Sequence, residues 1–294
     1  MDSFSSYHPA INFLYFTVVL LITMFMMQPV FLAISCVCAY AYSIYLKGKK
    51  ALKFNLLYML PVLLIAALMN PAFNHEGVTI LVYINGNPIT LESIYYGFAA
   101  GCMLVCVIVW FSCYNVVMTS DKFIYLFGRV IPALSLILSM VLRFVPKFKA
   151  QIKEVSRAQK CIGRDVSNGN VLMRARFGLR ILSIMMTWAF ENSIDTADSM
   201  KARGYGLKGR TSFSIFRFDA RDRALLCCLA GLMTVVLCAL FSGQIFVKYF
   251  PSFHINEPTP FAVLIYVCYA ALCAAPLILD LLEDAKWHYL QSRI

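Results

Sequence analysis

Apolar residues run almost unbroken through six stretches of this chain: 10–27, 30–46, 54–69, 94–118, 225–250 and 261–282. A helix crossing the ~30 Å hydrocarbon core of a bilayer needs about 20 such residues, so these stretches predict membrane spans. The third is short, and is expected to tilt little or to borrow flanking residues. The predicted fold class is an all-α polytopic membrane protein with about six transmembrane helices.

Two shorter apolar runs, 130–142 and 177–190, lie between the fourth and fifth stretches. Arg129 and Arg143 bracket the first, and the second contains Arg180. An arginine near the bilayer centre costs several kcal/mol. Spanning would also carry Lys147, Lys149, Lys153, Arg157, Lys160, Arg164, Arg174 and Arg176 across the membrane. Both runs therefore read as helices packed against the inner membrane face and each other. Pro132 stands near the start of the first, and Pro146 is expected to bend or end it. Beyond Pro146 an amphipathic helix places Phe148, Ile152, Val155 and Ile162 on one face and Lys149, Lys153, Arg157 and Lys160 on the other.

The composition agrees: 61% hydrophobic and only 14% charged, against roughly 25% charged in a soluble domain. Lys and Arg fix the expected orientation. With both termini cytoplasmic, 25 of the 26 lie inside, 19 of them between residues 119 and 224, and only Lys248 outside. Topology and acidic lipid headgroups account for the net charge of +11, so the bilayer is the expected partner and nucleic acid is not. Residues 1–9 hold no Lys or Arg, so no cleavable signal is expected there.

The largest external loop, 70–93, lacks basic residues. Its β-prone segment 78–84, followed by Asn85-Gly86, predicts a small extracellular β-hairpin turning at that dipeptide. His75 and Glu76 are too few for a metal site. Span four opens with Gly97 and Gly101 in a GxxxG pattern that admits a second helix closely, either from this chain or from a substrate-capturing subunit. Ten of the eleven cysteines sit in or beside apolar runs; without a CxxC pair they read as small packing residues rather than as disulfide or zinc ligands. Asp280 reads as a boundary residue at the cytoplasmic end of span six.

Two helix ends in the basic block share a signature. Ala158-Gln159-Lys160-Cys161-Ile162-Gly163 aligns with Ser199-Met200-Lys201-Ala202-Arg203-Gly204, 41 residues later. Each ends on a glycine suited to the left-handed position that terminates helices. Glu191, Asp195 and Asp198 share a face of the second helix, where they are expected to pair with basic residues of the first. Gly204–Gly209 also fits GxGxxG, and Gly204–Thr211 approximates a Walker A pattern. Both of those motifs leave a strand and open a helix, whereas these glycines follow a helix, so no nucleotide site is expected.

With His8-Pro9, Asn70-Pro71, Leu142-Arg143-Phe144-Val145-Pro146, the paired helix ends and Arg210-Thr211 in place, the chain resembles the transmembrane T component of energy-coupling factor (ECF) transporters, the family that includes the cobalt-transport permeases. The resemblance implies a bacterial cell membrane protein in which two long cytoplasmic helices cross. It implies that their tips dock into two ATPase subunits, and that the membrane helices hold one substrate-binding S component. The chain itself would be non-catalytic and bind no cofactor, with ATP and Mg used by the partner subunits. It also implies docking roles for Met200, Ala202, Arg203 and Gly204 at the second tip, and for Cys161, Ile162 and Gly163 at the first. The first tip departs from the family's Ala-Arg-Gly. There Arg164, one residue later, or Arg157, one turn back, supplies the charge, or Ile162 docks hydrophobically.

The expected division is 1–118 for spans one to four with the hairpin, 119–224 for a cytoplasmic coupling domain, and 225–294 for the last two spans and a short tail. A stand-alone secondary transporter would want ionisable or broken-helix positions at mid-membrane, which the spans largely lack. An intramembrane enzyme would want motifs such as HExxH or GxSxG, which do not occur.

Overall fold

The computed structural model describes residues 3–84, 87–128, 131–167, 170–207, 216–241, 247–255 and 259–292. In chain order the elements are α1 (Pro9–Phe25), α2 (Pro29–Lys47), α3 (Lys49–Leu57), α4 (Met59–Phe73), β1 (Ile80–Ile84), β2 (Asn87–Thr90), α5 (Leu91–Val117), α6 (Ser120–Gly128), α7 (Pro132–Cys161), α8 (Val171–Ala202), α9 (Ala220–Phe241), β3 (Val247–Lys248), β4 (His254–Ile255) and α10 (Pro260–Gln291). They form two compact units, one of residues 1–123 with 216–294 and one of residues 124–215.

In the first unit five helical stretches are long and apolar enough to cross a membrane, and α1 is a shorter apolar helix of 17 residues. The third apolar run proves longer than expected, because α3 and α4 together extend over Lys49–Phe73. The fifth proves shorter. α9 ends at Phe241, and β3 and β4 then pair as a second small hairpin inside the stretch expected to be helical. Tyr249 lies within that hairpin, buried, with its hydroxyl donating to the Met27 carbonyl and its ring edge-on to Tyr96 at 5.4 Å.

The core of this unit is aromatic, with Tyr15, Phe16, Tyr42, Trp110 and Tyr269 fully enclosed. Polar groups inside it pair with each other. The Trp110 indole donates to Ser35 Oγ at 3.0 Å, Ser35 meets Thr23 at 3.1 Å, and Thr23 meets Tyr269 at 3.3 Å. This chain joins α1, α2, α5 and α10 where no water is at hand to satisfy them. Pro276 lies inside α10 and cannot donate to the carbonyl four residues earlier. The Tyr15 hydroxyl fills that role from α1, at 3.2 Å from the carbonyls of both Leu272 and Cys273.

Gly97 and Gly101 face α4 of the same chain. A Cβ at Gly97 would sit 2.6 Å from the Ala67 carbonyl oxygen, and one at Gly101 would sit 3.0 Å from that of Leu63. Pro71, inside α4, leaves the Ala67 carbonyl without its usual N–H partner. The glycine lets α5 press its Cα against that carbonyl, a contact favourable for Cα–H.

β1 and β2 pair antiparallel with Ile84 opposite Asn87; the expected turn at Asn85-Gly86 lies outside the described residues. Asp280, expected at the cytoplasmic end of span six, is tied into the core of this unit. It is fully buried inside α10, which continues to Gln291, and it accepts the backbone N–H of Phe4 at 2.8 Å. Lys122, also buried, donates to the Ser5 and Val117 carbonyls, and Asp222 accepts the N–H of His8 at 3.1 Å. Three buried charges thus hold the segment that leads into α1, a pairing of distant residues that a local pattern does not reveal.

In the second unit α7 runs 30 residues without a break, with Pro146 inside it. Of the two outcomes expected at Pro146, a bend or an end, the helix does not end there. Pro146 lies on an exposed face, as does Leu142, whose carbonyl it leaves without an intrahelical donor. α8 runs 32 residues. The two helices pack through Phe148 against Trp188, edge to face at 5.2 Å, with Ile181 and Met185 of α8 buried. Lys147 sits over the Trp188 ring at 5.4 Å and donates to Asn192 at 2.7 Å.

Candidate functional site

Both long helices end in the same backbone motif. At α8 the Gly204 N–H donates to the Lys201 carbonyl and the Tyr205 N–H to that of Met200, each at 3.0 Å, with Gly204 at φ +82°. At α7 the Gly163 N–H donates to Lys160 and the Arg164 N–H to Gln159, each at 3.0 Å, with Gly163 at φ +78°. These are paired Schellman caps, in which a left-handed residue closes the last turn and satisfies carbonyls that would otherwise be orphaned. The quasi-repeat read from the sequence is therefore a repeat of structure.

Each tip lies well along its helix from the Phe148–Trp188 contact, the α8 tip over a cleft that residues of α7 also line. Phe148 is 13 residues from Cys161, and Trp188 is 14 from Ala202. At 1.5 Å per residue each arm extends about 20 Å past that contact. The contacts pair low numbers in α7 with high numbers in α8, so the arms point away from each other.

Cys161, Ile162 and Gly163 are exposed at the α7 tip, with Arg164 half-buried and Arg157 exposed one turn back. Lys160 forms an ion pair with Asp165 at 3.0 Å. Hydrogen bonds from the Ser167 hydroxyl and N–H, followed by the Lys160 ammonium, hold the Asp165 carboxyl down at about 2.

At the α8 tip Ala202 and Arg203 are exposed and Met200 is half-buried. Among the described residues Arg203 makes no ion pair; Asp198 instead meets Lys201 at 3.9 Å, both well exposed. Nor do Glu191 and Asp195 form ion pairs with α7 among the described residues, contrary to expectation; Lys147 of α7 meets Asn192 and Trp188 of α8 instead. Arg203 lines an open cleft of about 550 Å³ together with Ser139, Met140 and Arg143 of α7 and Asp195 and Ser199 of α8. The contribution of Arg143 was missed from the sequence. Its only signal there was its place in Leu142-Arg143-Phe144-Val145-Pro146. Gly206 follows with φ +95°, while Lys208–Thr211, the rest of both nucleotide-like patterns, lie outside the described residues.

Among the described residues no group of three or more His, Cys, Asp or Glu could hold a metal ion. The geometry is that of two exposed helix ends closed by matching caps.

Residues 2–213 match the family described as CbiQ, cobalt transport protein. The chain belongs to this family. It is similar to the energy-coupling factor transporter transmembrane protein EcfT of Listeria innocua, at 30% identity over 211 residues, which cover 66% of this chain and 78% of that one. It is also similar to EcfT of Staphylococcus aureus, at 27% over 192 residues, 61% and 71% of the two chains. The EcfT of Exiguobacterium sibiricum matches at 35% over 107 residues, 35% and 41%. As a CbiQ-family chain with several apolar helices, it is a multi-pass membrane component of an ECF transporter.

Proposed function

We propose that this chain is the non-catalytic coupling subunit of an ECF-type importer of the bacterial cell membrane. It transmits ATP-driven motion from two ATPase subunits to one substrate-binding S component, for uptake of a vitamin or a transition-metal ion. ATP and Mg belong to the partners. Residues 119–224 form the cytoplasmic coupling domain, and both termini are cytoplasmic. The observation that carries this reading is the pair of identically capped, exposed tips on two long helices, the α7 tip at Cys161–Arg164 and the α8 tip at Met200–Gly204.

A rigid arm fixed at its middle and gripped at its end transmits displacement rather than absorbing it, and the caps keep the last turn from fraying. Arg203 offers a guanidinium to a partner carboxylate. Removing one side of such a desolvated pair costs roughly 2–5 kcal/mol.

The test is Arg203→Glu in cells. The variant is expected to insert into the membrane at normal levels but to lose its ATPase subunits and its transport. Retention of the ATPases with uptake intact would reject the proposal.

A further inference from the structure

At one end of the α9–α10 pair the acidic residues are turned inward and the basic ones outward. Asp222 is buried and accepts the N–H groups of His8 and Asp219 at 3.1 and 3.0 Å. Asp280 is buried on the Phe4 N–H, and Asp284, half-buried, accepts the Tyr45 hydroxyl. Arg217, Arg221, Arg223, Lys286 and His288 are exposed at the same end, where Asp219 is the one exposed carboxylate among the described residues.

Between the two helices lies a small open cleft of about 240 Å³, lined by Arg221 of α9 and by Glu283, Lys286, Trp287 and Leu290 of α10. Glu283 lies 3.8 Å from the Arg221 guanidinium, which is 75% exposed. That separation is beyond hydrogen-bond reach, so the guanidinium keeps its forked donors for another acceptor. Two cations against one carboxylate leave the cleft positive.

Depth decides which kind of anion fits. Arg221 stands four residues before Leu225, where one apolar stretch opens, and Lys286 stands four after Leu282, where the other closes. At 1.5 Å per residue both lie about 6 Å outside the hydrocarbon, at the level of lipid phosphates. Trp287 and Leu290 are exposed beside them, and an exposed indole is favoured at that level.

We infer that this cleft holds the headgroup of an anionic phospholipid. The phosphodiester lies against Arg221, which offers two parallel donors, and Lys286, which offers a point charge. The acyl chains run along the exposed Leu281 and Leu282. Glu283 limits the cleft to a single phosphate, and Arg217 and Arg223 add attraction at longer range. The headgroup pins the place where the chain passes from the second unit into α9. The inference rests on the membrane assignment and needs neither the docking reading nor the orientation.

The full-length chain, purified in mild detergent, is titrated with phosphatidylglycerol, phosphatidylethanolamine and phosphatidylcholine of the same acyl chains. Native mass spectrometry counts the lipids retained. Phosphatidylglycerol should be held several-fold more tightly than the other two. Arg221→Gln and Lys286→Gln should each weaken it about fivefold, the effect of one cation near an anionic surface. Glu283→Gln should strengthen it, which a merely destabilised protein would not do. Lys50→Gln, which removes an exposed cation of α3, should leave retention unchanged, as should millimolar inorganic phosphate. Melting temperatures equal to that of the natural chain establish that the variants are folded.

Equal retention of the zwitterionic lipids overturns the inference, because net negative charge is then not what the cleft selects. Equal loss with Lys50→Gln also overturns it, by making the attraction general to the basic surface. Displacement of the lipid by inorganic phosphate marks a site for soluble anions and removes the lipid assignment.

Discussion

The Tyr15 hydroxyl of α1 lies 3.2 Å from the carbonyl of Leu272 in α10, the carbonyl that Pro276 leaves without its intrahelical donor. A proline inside an apolar helix is tolerated when a neighbour replaces the lost N–H. Tyr15→Phe should therefore destabilise the detergent-solubilised protein by about 1–3 kcal/mol, the penalty for a buried group left unsatisfied. Pro276→Ala restores the N–H and should remove most of that cost in the double variant. Thermal melts of the four proteins form the cycle. Strictly additive losses would break the connection drawn here.

Gly97 is held against backbone, which cannot swing aside. Gly97→Ala puts a carbon 2.6 Å from the Ala67 oxygen and should cost about 1–3 kcal/mol through forced separation of α4 and α5. Gly101→Ala, at 3.0 Å, should cost less. Gly231→Ala in α9 meets nothing within 4 Å and should be neutral or slightly stabilising. Melting temperatures in that order check the packing.

Gly163 and Gly204 both occupy left-handed backbone. Substituting alanine at either should cost about 1 kcal/mol, expressed locally as fraying of the final turn. Hydrogen exchange reads it out at the Arg164 and Tyr205 amides, which the caps bond to Gln159 and Met200. Faster exchange should be confined to the mutated tip, and asparagine should restore part of the protection.

His8 caps α1 by accepting the Ala10 N–H at Nδ1, 3.2 Å away. Partial burial, opposed by the nearby Asp222, lowers its pKa below the usual 6.5. The folded state thus binds this proton less readily than the unfolded chain does. The cap contributes fully above 6.5 and is lost as pH falls through the lowered value. His8→Asn keeps an acceptor that does not titrate. Melting curves from pH 7.5 down to about 5 should slope less for the variant; parallel curves would remove His8 as the titrating group.

Features that depend on neighbours along the chain were readable in advance. The helix tips follow from glycine placement, a close helix approach at Gly97 and Gly101 from their spacing though not the identity of that helix, and the first hairpin from its β-prone run. Features that depend on distant residues were not. Pro146 left a bend or an end open, because nothing local tells whether the freed Leu142 carbonyl lies at an exposed position. The bond from Phe4 to Asp280 was hidden, because the two lie 276 residues apart. Arg143 gained a role only when α8 returned beside α7 and brought Arg203 into the same cleft. Glu191 and Asp195 misled through regular spacing, since a shared face supplies no counter-charge by itself.

The bond from Phe4 to Asp280 also imposes an order on biogenesis. Phe4 leaves the ribosome long before α10 does, and its amide can take its seat only after that helix has formed. An incomplete chain must leave the Phe4 amide without this acceptor, although its ring already has Tyr15 and Phe16 of α1 to pack on.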